Sequence, residues 1–171
     1  MAVTQQLARI SHGQLVRLQE SAQEVDRLCS FSAAPASDYY DLDWAGQALL
    51  RVFDLAGMGS EPLSTLRHGI DGGDELNADY RDHPHSIMVH PVTVIEPDIV
   101  AEIGKVLQDV DVAQTFAALP IDAEQARQAI GGSITQLLWH PAEYLGPHLG
   151  ALREFYLGAA ARGLAVVTWW D

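Results

Sequence analysis

Apolar residues recur along this chain with two spacings, and the switch between them marks out the elements. Gln6-Leu7-Ala8-Arg9-Ile10 alternates polar and apolar, which predicts a short half-buried strand. Ser11 follows as a helix N-cap, with Gln14 at the capping-box position and Ile10 and Leu15 at the staple positions. Ser21 with Glu24 starts a second short helix carrying Val25, Leu28 and Cys29. After a small-residue loop over 31–38, Leu42, Ala45, Leu49, Val52 and Phe53 share a helical stripe. Asp41 or Asp43 is the expected cap of that helix and Ala56-Gly57 its end. Residues 61–67 predict one further helical turn.

The stretch 68–85 is rich in Gly, Asp and His, lacks apolar periodicity, and predicts a long surface loop. Residues 86–95 then predict a strand, which Pro91 assigns to a sheet edge or a bulge. Glu96-Pro97-Asp98 opens a helix with proline in the first turn, and Ile99, Ile103, Val106 and Leu107 are its expected buried stripe. Short helices are expected over 112–119 and after Asp122, whose partner at the box position is Gln125, with Gly131-Gly132 as the stop. Residues 134–139 read as a short strand or a buried apolar turn.

The sharpest local pattern lies at 146–171. Leu145, Leu149, Leu152, Tyr156, Ala159 and Ala160 line one helical face, and Pro147 is expected in the first turn. Gly163 suits a left-handed position closing that helix, with Leu164 folding back on Ala159. The strand after it is apolar on both sides, as a strand inside a covered sheet is. Together these elements predict a single α+β domain over 1–171: a small mixed or antiparallel sheet packed with several short helices in a single layer around it. The order lacks the regular βαβ alternation of a doubly wound nucleotide fold.

At 171 residues the chain is long enough for a sizeable core, and its single cysteine, Cys29, permits no intrachain disulfide. No leader and no membrane-length apolar run is visible, so a cytoplasmic location is expected. Ten basic against twenty-three acidic residues leave a net charge of −13, which repels nucleic acid and anionic lipid and favours a basic protein partner. Oligomeric state is not legible.

Three groups of residues invite chemistry. His83 and His85 flank Pro84 and point the same way in an extended chain. With His90 and the nearby acids Asp79 and Asp82 they form a candidate two-histidine, one-carboxylate metal site. Tyr39, Tyr40, Asp41, Asp43 and Trp44 form an aromatic and acidic knot suited to recognition, and Trp139, His140 and Tyr144 raise the same question. No nucleophile elbow, dinucleotide fingerprint or P-loop is present, and no cofactor is implied.

Leu152-Arg153-Glu154-Phe155-Tyr156, then Ala159-Ala160 and Gly163 to Val167, resembles the C-terminal end of the YfbM-like family, a bacterial group of small proteins carried as a domain of unknown function. The order of parts agrees from the Ser11 helix to Glu96-Pro97-Asp98-Ile99. The chain departs from the family at Gly46-Gln47, where Trp-His is usual, and at His90-Pro91-Val92-Thr93, where Gly-Pro-x-Arg is usual. The resemblance implies a shared fold and no particular reaction. The resulting expectation is a binding protein, with immunity proteins that neutralise a basic partner as one version. The alternative is a metal-binding protein or hydrolase using the histidines of 68–90.

Overall fold

The computed structural model describes residues 3–86 and 90–171. In chain order these are β1 (Gln5–Ile10), α1 (His12–Glu20), α2 (Ala22–Cys29), β2 (Tyr39–Asp43), α3 (Ala45–Leu55), α4 (Ser60–Asp71), β3 (Asp74–Glu75), β4 (Thr93–Ile95), α5 (Pro97–Asp109), α6 (Val112–Ala117), α7 (Ala123–Ile130), α8 (Pro141–Ala161) and β5 (Ala165–Trp170). The strands form one antiparallel sheet in the order β2-β1-β5-β4-β3, so the fold is α+β and β5 is central.

Cross-strand pairing decides which residues share a face. Leu7 lies opposite Thr168 and Arg9 opposite Val166, while Ala8 lies opposite Val167 and Ile10 opposite Ala165. Leu7, Leu42, Ile95 and Val166 pack beneath α3 to α8. Ala8, Ile10, Val94, Val167 and Trp169 pack beneath α1, α2 and the segment around Leu76 and Tyr80. The helices therefore lie on both faces, six against two, and not in one layer. Double coverage also corrects the half-buried reading of β1, where even Gln5 and Gln6 are buried. Gln5 Nε2 donates to Ile70 O at 2.5 Å and to Thr168 Oγ1 at 3.1 Å, so its amide is satisfied inside the core.

The capping signals held where a side chain could reach its own backbone. Ser11 and Gln14 make the full capping box, and Ser21 and Asp122 each accept from the backbone N–H three residues on, as does Asp111, a cap not singled out in the sequence. Gly163 has φ +62, and Leu164 N–H donates to Ala159 O at 3.0 Å while Gly163 N–H donates to Ala160 O. These are the two bonds of a Schellman turn.

Several expectations need correction. Tyr39–Asp43 is a strand paired with β1, not a lead into helix, and α3 begins only at Ala45. Leu42 fits a helical stripe by spacing, yet it alternates inward from the strand. Neither Asp41 nor Asp43 caps α3: Asp41 Oδ1 accepts from Asp43 N–H, and Asp43 has φ +55 beside an irregularity in the β1–β2 register. α4 continues through 68–71, because Leu66 and Ile70 bury a further turn against the core. Of the strand expected at 86–95, only Thr93–Ile95 is one among the described residues, and 87–89 lie outside them. Residues 132–136 form a 3-10 turn that buries Ile134, and Leu138 is exposed.

α8 is one helix from Pro141, which takes the first-turn position expected for Pro147. Pro147 lies inside it on the exposed side with Glu143, where the carbonyl left without a donor faces water. The opposite side carries Leu145, Leu149, Leu152, Phe155 and Tyr156, and Tyr156 donates its hydroxyl to Gly69 O. Arg153 adds bonds to the carbonyls of Leu107 and Val110 at the end of α5.

Candidate functional site

The thinly covered face of the sheet holds a cleft of about 430 Å³. It is built by the end of α2, residues 75–86, residues 90–92 and the end of β5. A cavity of this size suits a small molecule. Its walls mix aromatic surface (Phe31, Tyr80, Trp169, Trp170) with charged groups (Asp26, Glu75, Arg81, His85).

Each wall has a local cause. α2 ends in a Schellman turn, with Phe31 N–H donating to Leu28 O and Ser32 N–H to Arg27 O. The left-handed position of that turn is Phe31, at φ +58, a conformation that a bulky side chain seldom adopts. Its ring is held by Tyr39 and Trp169, with centroids 5.2 Å and 5.8 Å away. Residues 75–82 are held in place by their own polar groups. Asn77 caps a 3-10 turn at Ala78–Asp82 and donates to the carbonyls of Leu18 and Gln19, while Arg81 pairs with Glu75. Leu76 and Tyr80 anchor the turn in the core.

The cleft's chemistry follows from burial. Burial pushes the Cys29 thiol up to about 12, with the nearby Asp26 acting in the same direction and Tyr80 opposing it. The thiol is therefore protonated at neutral pH and is no nucleophile there. Burial raises the Tyr80 hydroxyl as well. Trp169 lines the cleft and is 2% exposed, and its indole N–H has no partner among the described residues. A buried donor left unpaired costs about 1–3 kcal/mol unless something accepts from it.

Of the histidines singled out in the sequence, His83 and His85 do come together, though not with the expected partners. The third member is Asp26 of α2, whose Oδ1 is 2.9 Å from His85 Nδ1 and 3.4 Å from His83 Nδ1. The His83 ring stacks on Tyr80. His90 lines the same cleft but rests against Trp170, with centroids 5.0 Å apart, and Asp79 and Asp82 do not join the group. Asp26 was out of reach of sequence reasoning, because it lies 59 residues from His85 on a helix with no histidine of its own. Its only signal is its place one turn before Cys29 and Ser30.

The aromatic and acidic knot is divided by its strand. Tyr39 turns to the cleft face, and its hydroxyl accepts from Ala33 and Ala34 N–H. Tyr40 and Asp43 turn to α8. The Tyr40 hydroxyl lies 3.1 Å from His148 Nδ1 and from His148 O, and Tyr144 donates to Asp43 Oδ2 at 2.9 Å. Burial raises both tyrosines, with Asp41 and Asp43 adding to it, and lowers His148, whose shift those two acids oppose. Asp41 and Trp44 are exposed, and Trp44 donates its indole N–H to Val3 O. His140 caps α8 by accepting from Ala142 N–H, and its Nε2 lies 2.9 Å from Pro120 O. That contact sets Ile121, 99% exposed, near Trp139, 50% exposed.

Fold and cleft together define an α+β protein with one antiparallel sheet, heavily covered on one face and carrying a concave site on the other. No family model and no curated protein matches the sequence. Among solved structures the chain is similar to YfbM from Escherichia coli, a protein of unknown function. The likeness has a TM-score of 0.62 at 14% identity and covers 98% of this chain and 99% of that one. The YfbM-like fold expected from the C-terminal pattern is borne out. No helix among the described residues is long and apolar enough to cross a membrane.

Proposed function

We propose that this is a binding protein whose ligand is a small, partly aromatic molecule held in the cleft between α2 and the end of β5. The observation that carries this is a cavity of about 430 Å³ walled by Phe31, Tyr80, Trp169 and Trp170, with the acidic and basic side chains of Asp26, Glu75 and Arg81 beside them. In this reading a flat ring lies against Phe31 and Trp170, and Arg81 offers a donor to an acceptor on the ligand. Strained backbone at Phe31, on the rim, supports the same reading, since such strain gathers at ligand clamps.

Benzamide-type fragments, which combine a ring with a hydrogen-bond acceptor, test it by saturation-transfer NMR. Wild-type protein is expected to bind them weakly. Ser30→Trp, a change at an exposed rim residue that fills the cleft, is expected to abolish the signal. Absence of binding, or equal binding by that variant, overturns the proposal.

A second reading, a basic protein partner, is favoured by the exposed apolar side chains Ile121, Leu138 and Trp139, of which Leu138 is 88% exposed. An apolar contact within a molecule of net charge −13 complements a partner with basic side chains around an apolar centre. Salt-sensitive capture of a basic protein, lost in Leu138→Asp, is the expected result; capture insensitive to that change counts against it.

A further inference from the structure

The mouth of the cleft carries an arrangement that the small-molecule reading does not use. Asp26, His83 and His85 present one ligand atom each, and all three lie within 4.8 Å of one another. We propose that these residues form a divalent transition-metal site of the zinc class, open on the side that faces the cleft. The inference rests on that cleft being a binding site, and it adds an inorganic ligand at its edge.

Geometry carries the argument. Two donors each about 2.1 Å from a tetrahedral ion stand about 3.4 Å apart, and somewhat less around an octahedral one. The Asp26 Oδ1 separations, 2.9 Å to His85 Nδ1 and 3.4 Å to His83 Nδ1, are already of that order. An ion therefore needs little rearrangement to replace the hydrogen bond between Asp26 Oδ1 and His85 Nδ1 and the long one that His83 Nδ1 accepts from His85 N–H at 3.4 Å. The set of two imidazoles and one carboxylate is hard enough for zinc and nitrogen-rich enough to disfavour calcium and magnesium.

The scaffold also restrains the three side chains. Asp26 stands in the second turn of α2, between the buried Val25 and Leu28. Pro84 restricts the backbone between the two histidines, and the 3-10 turn before them is pinned by Tyr80 in the core. The His83 ring is sandwiched by its stack on Tyr80 at 5.2 Å and its edge contact with His85 at 5.3 Å. Asp26 and His85 line the cleft, so a three-residue site here leaves a coordination position toward it for water or for an acceptor atom of a cleft ligand.

Chelator-treated protein titrated with Zn²⁺ by calorimetry provides the test. One ion per chain is expected, with affinity weakened at least about tenfold by His83→Ala, His85→Ala or Asp26→Asn. His12→Ala and His68→Ala, at histidines outside the cluster, are expected to leave it unchanged. Thermal melts of the metal-free variants check that they fold. Should His83→Ala disturb the turn, His85→Gln at the more exposed ring decides. Bound Co²⁺ is expected to give a visible absorption that shifts on adding imidazole, which reports the open position. Failure to bind Zn²⁺, or binding indifferent to all three substitutions, overturns the metal site. Fragment binding by the metal-free protein is read separately, so the cleft proposal stands or falls on its own result.

Discussion

Three helices, α2, α3 and α8, close with the same pair of backbone hydrogen bonds, and where α3 and α8 place glycine at the left-handed position α2 places phenylalanine. α8 uses Gly163 at φ +62, in open space where a Cβ meets nothing within 4 Å. α2 uses Phe31 at φ +58, wedged among Tyr39 and Trp169 on the rim of the cleft. Glycine adopts this backbone freely, whereas an ordinary residue gives up about 1–2 kcal/mol there. The end of α8 thus carries no local strain and feeds straight into the central strand. The end of α2 carries that strain at a residue whose ring packs on Tyr39 and Trp169. The contrast separates a part of the molecule tuned for stability from one where stability is given up locally, as at ligand sites elsewhere.

Substitutions can break or sharpen this contrast. The largest effect is expected on the α8 side: Leu149→Ala, at a fully buried position, should cost about 2–5 kcal/mol in denaturant unfolding. A loss below about 1 kcal/mol would mean that α8 is not the anchoring side. Next comes Gly163→Val, expected to lower stability by more than about 1 kcal/mol through backbone strain alone, since there is space for the side chain. An unchanged melting temperature would remove the glycine half of the comparison.

Phe31→Gly should change stability by less than about 1 kcal/mol, because relief of strain offsets the lost contacts of a side chain already 45% exposed. Fragment binding in the cleft should nonetheless weaken. A clear destabilisation with binding intact would make Phe31 a packing residue only.

The smallest effect is one of pH, at the junction of β2 and α8. Burial holds His148 below its ordinary value, so as pH falls through about 6.5 the unfolded chain takes up a proton that the folded chain resists. Stability at this site is complete above that range and is lost toward acid. His148→Gln should flatten the melting temperature between pH 7 and 5, and a profile identical to wild type would mean that the ring titrates freely.

What could be read from the sequence divides along similar lines. Caps and stops were legible because their chemistry is local: Ser11 with Gln14, Asp122 with Gln125, and Gly163 each satisfy backbone groups within a few residues. β2 was not, since Leu42 extends the stripe of α3 by spacing, and only pairing with β1 turns Tyr39–Asp43 into a strand. Pro147 was misplaced because an interior proline is tolerated where its orphaned carbonyl meets water, and solvent exposure is a tertiary property. At the site, the His83 and His85 pair was visible from its i, i+2 spacing. Asp26, Phe31 and Trp169 come to line one cleft only because the ends of α2 and β5 meet residues 75–86 and 90–92.

The position of β5 also has a kinetic consequence. Ile10 pairs with Ala165 and Gln5 with Trp170, so the central seam of the sheet joins residues more than 150 positions apart. Contacts this distant in sequence slow folding, because the loop between them must be closed before they form. During synthesis β1 and β2 are made early, and β1 then waits with one edge unpaired until residues 165–170 leave the ribosome. An unpaired apolar edge templates misassembly. Refolding yield in vitro should therefore fall with protein concentration, and a peptide copying 165–170 should compete for the waiting edge.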